Sequence, residues 1–294
     1  MAPGGVVFGA MAAALAILWM AALVGGPRRR AGTAPPGRLI AAALAQACPA
    51  GSVTRNAKGR PTGCRVCPRQ TDVRDLPGSW TLKEALTGRF LSAHGRNLLM
   101  TGWGCEPHML NWGGAFLFAL ARAGPPRLLR YYAGLSSVRW RAFRMPKGRD
   151  LLLGRAEGGA QGTRTQSVIQ LAFRTSGRFS LRTLFATASV WCAEASGGPP
   201  TPPVRSQLRR WRIVGRTGAV PSGLLATVTW GRAPRTEAAA ACTSWRMPQF
   251  PVKTYHLRFR FDGRFFLPTP ATERLLRRKF SPSLSLWVNP LFTR

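Results

Sequence analysis

The chain has 294 residues, long enough for one large or two modest domains, and 45% of them are hydrophobic, which excludes a globally disordered protein. Against 10 Asp and Glu stand 43 Lys and Arg, all but five of them arginine, for a net charge of +33. Such a field attracts anionic lipid, acidic polysaccharide or nucleic acid. The arginines are spread along the chain, with short basic runs only at 28–30, 209–210 and 277–279, whereas a nucleic-acid binder gathers its charge on one arm, helix or face. Nucleic acid is therefore not the expected partner. GC-rich codon usage accounts for abundant Arg, Ala, Gly and Pro, but not for the shortage of acids.

Residues 6–24 are continuously apolar and about long enough to span a bilayer, with no Lys or Arg before them and "PRRR" directly after. A second pattern follows. Residues 28–30 and Arg38 form a basic region, "LIAAALAQA" (39–47) a short apolar one, and Ala45-Gln46-Ala47 an A-x-A site before Cys48. Read from Met20, residues 20–47 make a secretory signal peptide. Residues 1–47 are assigned as a signal peptide or N-terminal membrane anchor. Export to the periplasm, the cell surface or the medium is expected, with residues 6–24 as the point of any membrane contact.

The six cysteines are Cys48, Cys64, Cys67, Cys105, Cys192 and Cys242. An even count in an exported chain reads as disulfides. Cys48, Cys64 and Cys67 staple a Gly-, Pro- and Arg-rich segment, 48–70, while Cys192 and Cys242 flank a Pro/Gly-rich insert and close a loop. The rival reading sets Cys64-x2-Cys67 with Cys105-x2-His108 as three thiolates and an imidazole for tetrahedral zinc.

From residue 71 to 280 the punctuation is that of a β protein. Strands are predicted at 116–121 and 128–134 around "AGPP", at 141–145 and 150–154 around Pro146-Lys147-Gly148, and at 167–173 and 179–185 around "RTSGR". "YHLRFRFDGRFFL" (255–267) alternates apolar and basic residues, and Asp262-Gly263 predicts a type I′ hairpin. His256 then lies on the solvated side of a strand. Short helices are expected at "LKEAL" (82–86) and "TERLLRRKF" (272–280), and residues 281–294 form a C-terminal tail. Turns precede apolar runs at 95–100, 148–153 and 222–226, in the manner of repeated hairpins or blades. The fold class is mainly β: β-propeller-like or a large β-sandwich built from antiparallel hairpins, with few short helices.

The segment "GWGCEPHMLNWGGAFLF" (102–118) concentrates the reactive side chains. Cys105 as nucleophile with His108 as base, oriented by Glu106 or Asn111, is one arrangement. A carboxylate pair of Glu106 with Asp150 or Glu157 is another. A structured loop explains more of the residues: "NLLMTGW" and "GAFLFAL" are strands, Gly104, Pro107 and Gly113-Gly114 bend the connection, and His108 and Asn111 hold its backbone. If the loop binds a ligand, Glu106, His108 and Asn111 are the binding residues. There is no G-x-S-x-G, H-E-x-x-H or P-loop, and no catalytic residue is assigned.

On "GRFLSAHGRNLLMTGWGCEPHMLNWGGAFLF", "GRDLLLGRAEGGAQG" and "LRFRFDGRFFLPTPATERLLRR" the chain resembles a group of exported bacterial proteins, over roughly residues 48–280. The "G-R-x-L-L" units are similar in style to the FG-GAP and VCBS repeats of β-propellers. They lack the Asp-rich loops that bind calcium in those repeats, so the resemblance implies no calcium site, and it implies no catalytic residue.

The expected function is that of an exported, non-enzymatic β-rich module that binds a protein partner or an anionic polymer at the cell envelope, with no cofactor. The alternative is a hydrolase or a zinc-binding protein using the Cys105–His108 loop.

Overall fold

A computed structural model describes residues 34–71, 78–105, 113–133, 135, 138–158, 162–192, 202–215, 220–244 and 246–280. The protein is mainly β, with two antiparallel sheets and three short helices among these residues.

The first sheet is a meander of six strands: β1 (Val53–Arg55), β2 (Pro61–Cys64), β3 (Trp80–Gly88), β4 (Arg96–Trp103), β5 (Gly113–Leu120) and β6 (Arg127–Ala133). The second runs through eight: β7 (Val138–Arg144), β8 (Asp150–Gly158), β9 (Thr163–Phe173), β10 (Phe179–Val190), β11 (Val204–Val214), β12 (Gly223–Arg232), β13 (Lys253–Phe261) and β14 (Phe266–Pro268). Within each sheet, strands that are neighbours in sequence are neighbours in space. The turn-plus-apolar units at 95–100, 148–153 and 222–226 do precede strands, here β4, β8 and β12, but the strands continue as two meanders rather than as radial blades.

The central strands are apolar on both sides because both sides are covered. In β4 and β5, Leu99, Ala115 and Leu117 meet Trp140, Leu152, Ile169 and Leu171 of the second sheet. Leu98, Met100, Phe116 and Phe118 point the other way, onto helix α1 (Gly37–Ala47) and the Cys48–Cys64 and Cys67–Cys105 disulfides. Residues 39–47 are thus a folded layer of the domain. Ala43, Leu44 and Ala47 are buried, and Gln46 Oε1 accepts from the backbone N–H of Leu128 on edge strand β6 at 3.1 Å.

The second sheet bends over its own core without closing into a barrel. Leu151 and Leu153 join Val168, Leu208, Leu224, Val228, Leu257 and Phe259 there. The buried amides Gln166 and Gln170 bridge the fold-over, accepting from Leu208 N at 3.0 Å and Phe266 N at 2.9 Å. Two further helices are α2 (Glu237–Ser244), tied to the end of β10 by Cys192–Cys242, and α3 (Pro270–Lys279). Helix α3 follows its sequence signals: Thr269 caps, Pro270 opens the first turn, Glu273 lies near the start, and Arg277, Arg278 and Lys279 lie at the end.

Two local expectations are corrected. "LKEAL" is strand, not helix: residues 82–86 sit inside β3 and pair with β4. The β13–β14 connection is not a two-residue type I′ turn. Asp262 has no positive φ, and Phe261 pairs with Phe266 across four residues. The Asp262 carboxylate instead accepts from Arg264 N and Phe265 N, and these bonds, that from Phe265 first, hold its pKa below the usual carboxylate range.

Candidate polyanion-binding groove

A cavity of about 790 Å³ opens where β3 and β4 of the first sheet meet β7, β8 and β11 of the second. It is built at the β7 edge of the second sheet and by bulges in β3 and β11. In β3, Leu82 pairs with Gly102 and Glu84 with Thr101, so Lys83 is the extra residue of a bulge, which turns a side chain away from the regular alternation. Lys83 Nζ lies 4.4 Å from the ring centroid of Trp103, a side chain half exposed at the end of β4. A second bulge, at Arg209, separates the pairs Leu208–Val228 and Arg210–Thr227 just where β11 borders the cavity.

The opposite wall comes from "VRWRAFR". Strand alternation turns Trp140 towards the first sheet and puts Arg139 and Arg141 on the other side of β7. Arg141 stacks over Trp211 of β11 at 4.8 Å. Arg139 and Arg155 stand directly opposite one another in the β7–β8 register. Like charges facing across a ladder are unfavourable by themselves. Glu157 relieves part of this through a 2.5 Å ion pair with Arg155.

Among the described residues, five cations (Lys83, Arg139, Arg141, Arg155 and Arg210) therefore border one cavity with a single lining carboxylate, Glu84. That carboxylate is already engaged, accepting from Trp140 N at 2.8 Å. Burial raises its pKa above the ordinary carboxylate value, against the lowering effects of this hydrogen bond and of Arg139. Two buried donors of lining residues, Trp140 Nε1 and Arg155 Nε, have no acceptor among the described residues. The site is rich in donors and positive charge and poor in acceptors, which is the complement of a carboxylated, sulfated or phosphorylated ligand.

Of the residues expected to bind, Glu106, His108 and Asn111 all lie outside the described residues. The flanks of their loop are described. Gly113 and Gly114 are strand residues, not a bend: Gly102 pairs with Gly114 and Trp103 with Gly113. A Cβ on Gly102 would strike the Trp80 ring, and one on Gly114 the Tyr131 ring, so these glycines make room for aromatic packing. Gly104 and Cys105 take positive φ and turn the chain out of β4.

All six cysteines are paired, as Cys48–Cys64, Cys67–Cys105 and Cys192–Cys242. This corrects the alternative reading. Cys105 in a disulfide has no thiolate with which to attack, and Cys64, Cys67 and Cys105 offer none to zinc. No group of three His, Cys, Asp or Glu side chains suited to a metal occurs among the described residues. Of the carboxylates set beside Glu106, Asp150 is bound to Arg144 and to Arg89 N, and Glu157 to Arg155 and Arg164, while Glu106 itself lies outside the described residues. His256 is exposed on β13, as its alternation implied, 3.4 Å from Thr227 Oγ1.

No family model, no curated protein and no solved structure matches this chain.

Proposed function

We propose that this protein is an exported, non-enzymatic module that holds an anionic polysaccharide of the cell envelope in the groove beside Trp103. One observation carries the reading: five cations converge on a single cavity where the only lining carboxylate among the described residues is spent on a backbone N–H. Trp103 and Trp211 add flat apolar faces to which sugar rings can stack, each already bordered by a cation. The three disulfides fit an oxidising compartment, which favours an envelope glycan over nucleic acid. Among the described residues no helix is long and apolar enough to cross a membrane. Residues 6–24, the proposed membrane contact, lie outside them.

Titration with oligogalacturonate, followed by tryptophan fluorescence over a salt series, tests the reading. Saturable binding that weakens about tenfold, or about 1.4 kcal/mol, in Trp103→Ala is expected, with no response to neutral dextran. Equal binding of dextran, or unchanged affinity in Trp103→Ala, would remove the groove as the site.

A further inference from the structure

The groove does not end at Arg210. Cross-strand register puts Arg210, Thr227 and His256 in one row of the second sheet and Arg212, Leu225 and Arg258 in the next, with Gly223 and Arg260 beyond them. Residues directly opposite in a ladder share a face, so this face is settled by pairing alone. Arg210 and Arg212 form one rail on β11, and His256, Arg258 and Arg260 form another on β13; all five are exposed. Between them Gly223, Leu225 and Thr227 of β12 make a lower floor. Two strand spacings separate the rails by about 10 Å, and successive side chains along each rail are about 7 Å apart. β11, β12 and β13 contain no Asp or Glu. Of the acids flanking these strands in sequence, Asp262 is engaged with the backbone of its own turn and Glu273 with Arg277, while Glu237 opens helix α2.

We infer that this double rail is a continuation of the groove, so that the ligand is a linear, repeatedly charged polysaccharide lying along β12, with one end against Trp103. The inference rests on the groove reading and adds a requirement to it: ligand length. A short oligomer fills the cavity alone, whereas a longer one also neutralises the rails. Regular spacing of cations on both sides of a smooth floor suits one extended chain with charges at a fixed repeat. Arg210 joins the two regions, since it lines the cavity and begins the β11 rail.

The test uses oligogalacturonates from dimer to dodecamer against four forms of the disulfide-bonded protein: wild type, Trp103→Ala, the rail pair Arg212→Ser with Arg258→Ser, and a charge-matched control pair. The control, Arg174→Ser with Arg178→Ser, removes two exposed arginines from the β9–β10 turn. Wild type and control should gain affinity with length. The rail pair should keep dimer affinity and lose the gain, and its slope of log K against log salt should fall by roughly one for each carboxylate of the ligand left without its arginine. A rail pair that matches the control at every length overturns the rail while leaving the groove standing. Dimer binding unaffected by Trp103→Ala overturns the groove reading instead. Rail-dependent binding of single-stranded DNA or anionic vesicles that exceeds binding of the dodecamer overturns the choice of polysaccharide.

Discussion

The Glu84 carboxylate accepts a 2.8 Å hydrogen bond from the backbone N–H of Trp140, so a side chain of the first sheet satisfies the exposed edge strand of the second. An unpaired edge invites another strand, and here one carboxylate covers a donor while joining the sheets beside the groove. The bond needs only an acceptor, not a charge.

Glu84→Gln keeps an acceptor and removes a charge whose burial raises its pKa. The folded state favours the protonated form, so whatever this group contributes is complete below the ordinary carboxylate pKa and lost as pH rises through the raised value. At neutral pH Glu84→Gln should match or exceed wild-type stability and bind oligogalacturonate more tightly. Glu84→Ala leaves Trp140 N unsatisfied and should lose about 1–3 kcal/mol. Urea denaturation of both variants decides the matter; equal losses would show that the charge itself is required.

Asp150 makes the second bridge between the sheets. Fully buried, it accepts from Arg144 Nε and from Arg89 N, both at 2.7 Å, while its own N–H donates to Arg89 O at 2.8 Å. Asp150→Ala strands a guanidinium and a backbone donor, and should cost about 3 kcal/mol, the low end for a broken buried pair because Arg144 still reaches water. Asp150→Asn retains an acceptor for Arg89 N and should lose less. The order of the two denaturation midpoints is the readout.

Helix α1 covers Leu98, Met100, Phe116 and Phe118. Cleavage after Ala47 would bare that face, so the mature protein should begin upstream of Gly37. Sequencing the N-terminus of the protein isolated from its native source checks this; a start at Cys48 would mean that the face finds another cover. Leu44, completely buried, should cost about 2–5 kcal/mol as Leu44→Ala.

Burial pushes the Tyr132 hydroxyl up to about 12, with Arg130 opposing, and the phenol donates to Gly177 O at 2.5 Å. The fold holds the neutral form. Its contribution is therefore complete below about pH 10 and is lost as pH rises towards about 12. Tyr132→Phe should be about 1 kcal/mol less stable at neutral pH and should show a shallower loss between about pH 10 and about pH 12. Parallel curves for the two proteins would detach Tyr132 from the alkaline transition.

Much of the strand pattern was legible because alternation and turn chemistry act locally. Val168 and Ile169 face opposite cores, Pro146-Lys147-Gly148 turns the chain between β7 and β8, and α3 carries its cap and charges in its own sequence. Cys192 and Cys242 were readable as a loop closure, since they flank a Pro- and Gly-rich insert in a chain with an even number of cysteines.

Other features depended on partners far along the chain. "LKEAL" has helix-forming residues, yet the ladder it makes with β4 overrides that propensity. "LIAAALAQA" has the hydropathy of a signal segment and equally that of a buried helix, and only the apolar face of β4 and β5 separates the two. The groove was missed for the same reason. Arg139 and Arg141 show in the alternation of "VRWRAFR", but Lys83, Trp103, Arg155, Arg210 and Trp211 come from strands up to 128 positions apart, counting from Lys83 to Trp211. By itself the sequence determined the β class and the excess of cations, because composition and short-range periodicity carry them. Which cations converge was decided by the tertiary structure, because convergence is set by sheet packing and bulge positions that no local pattern encodes.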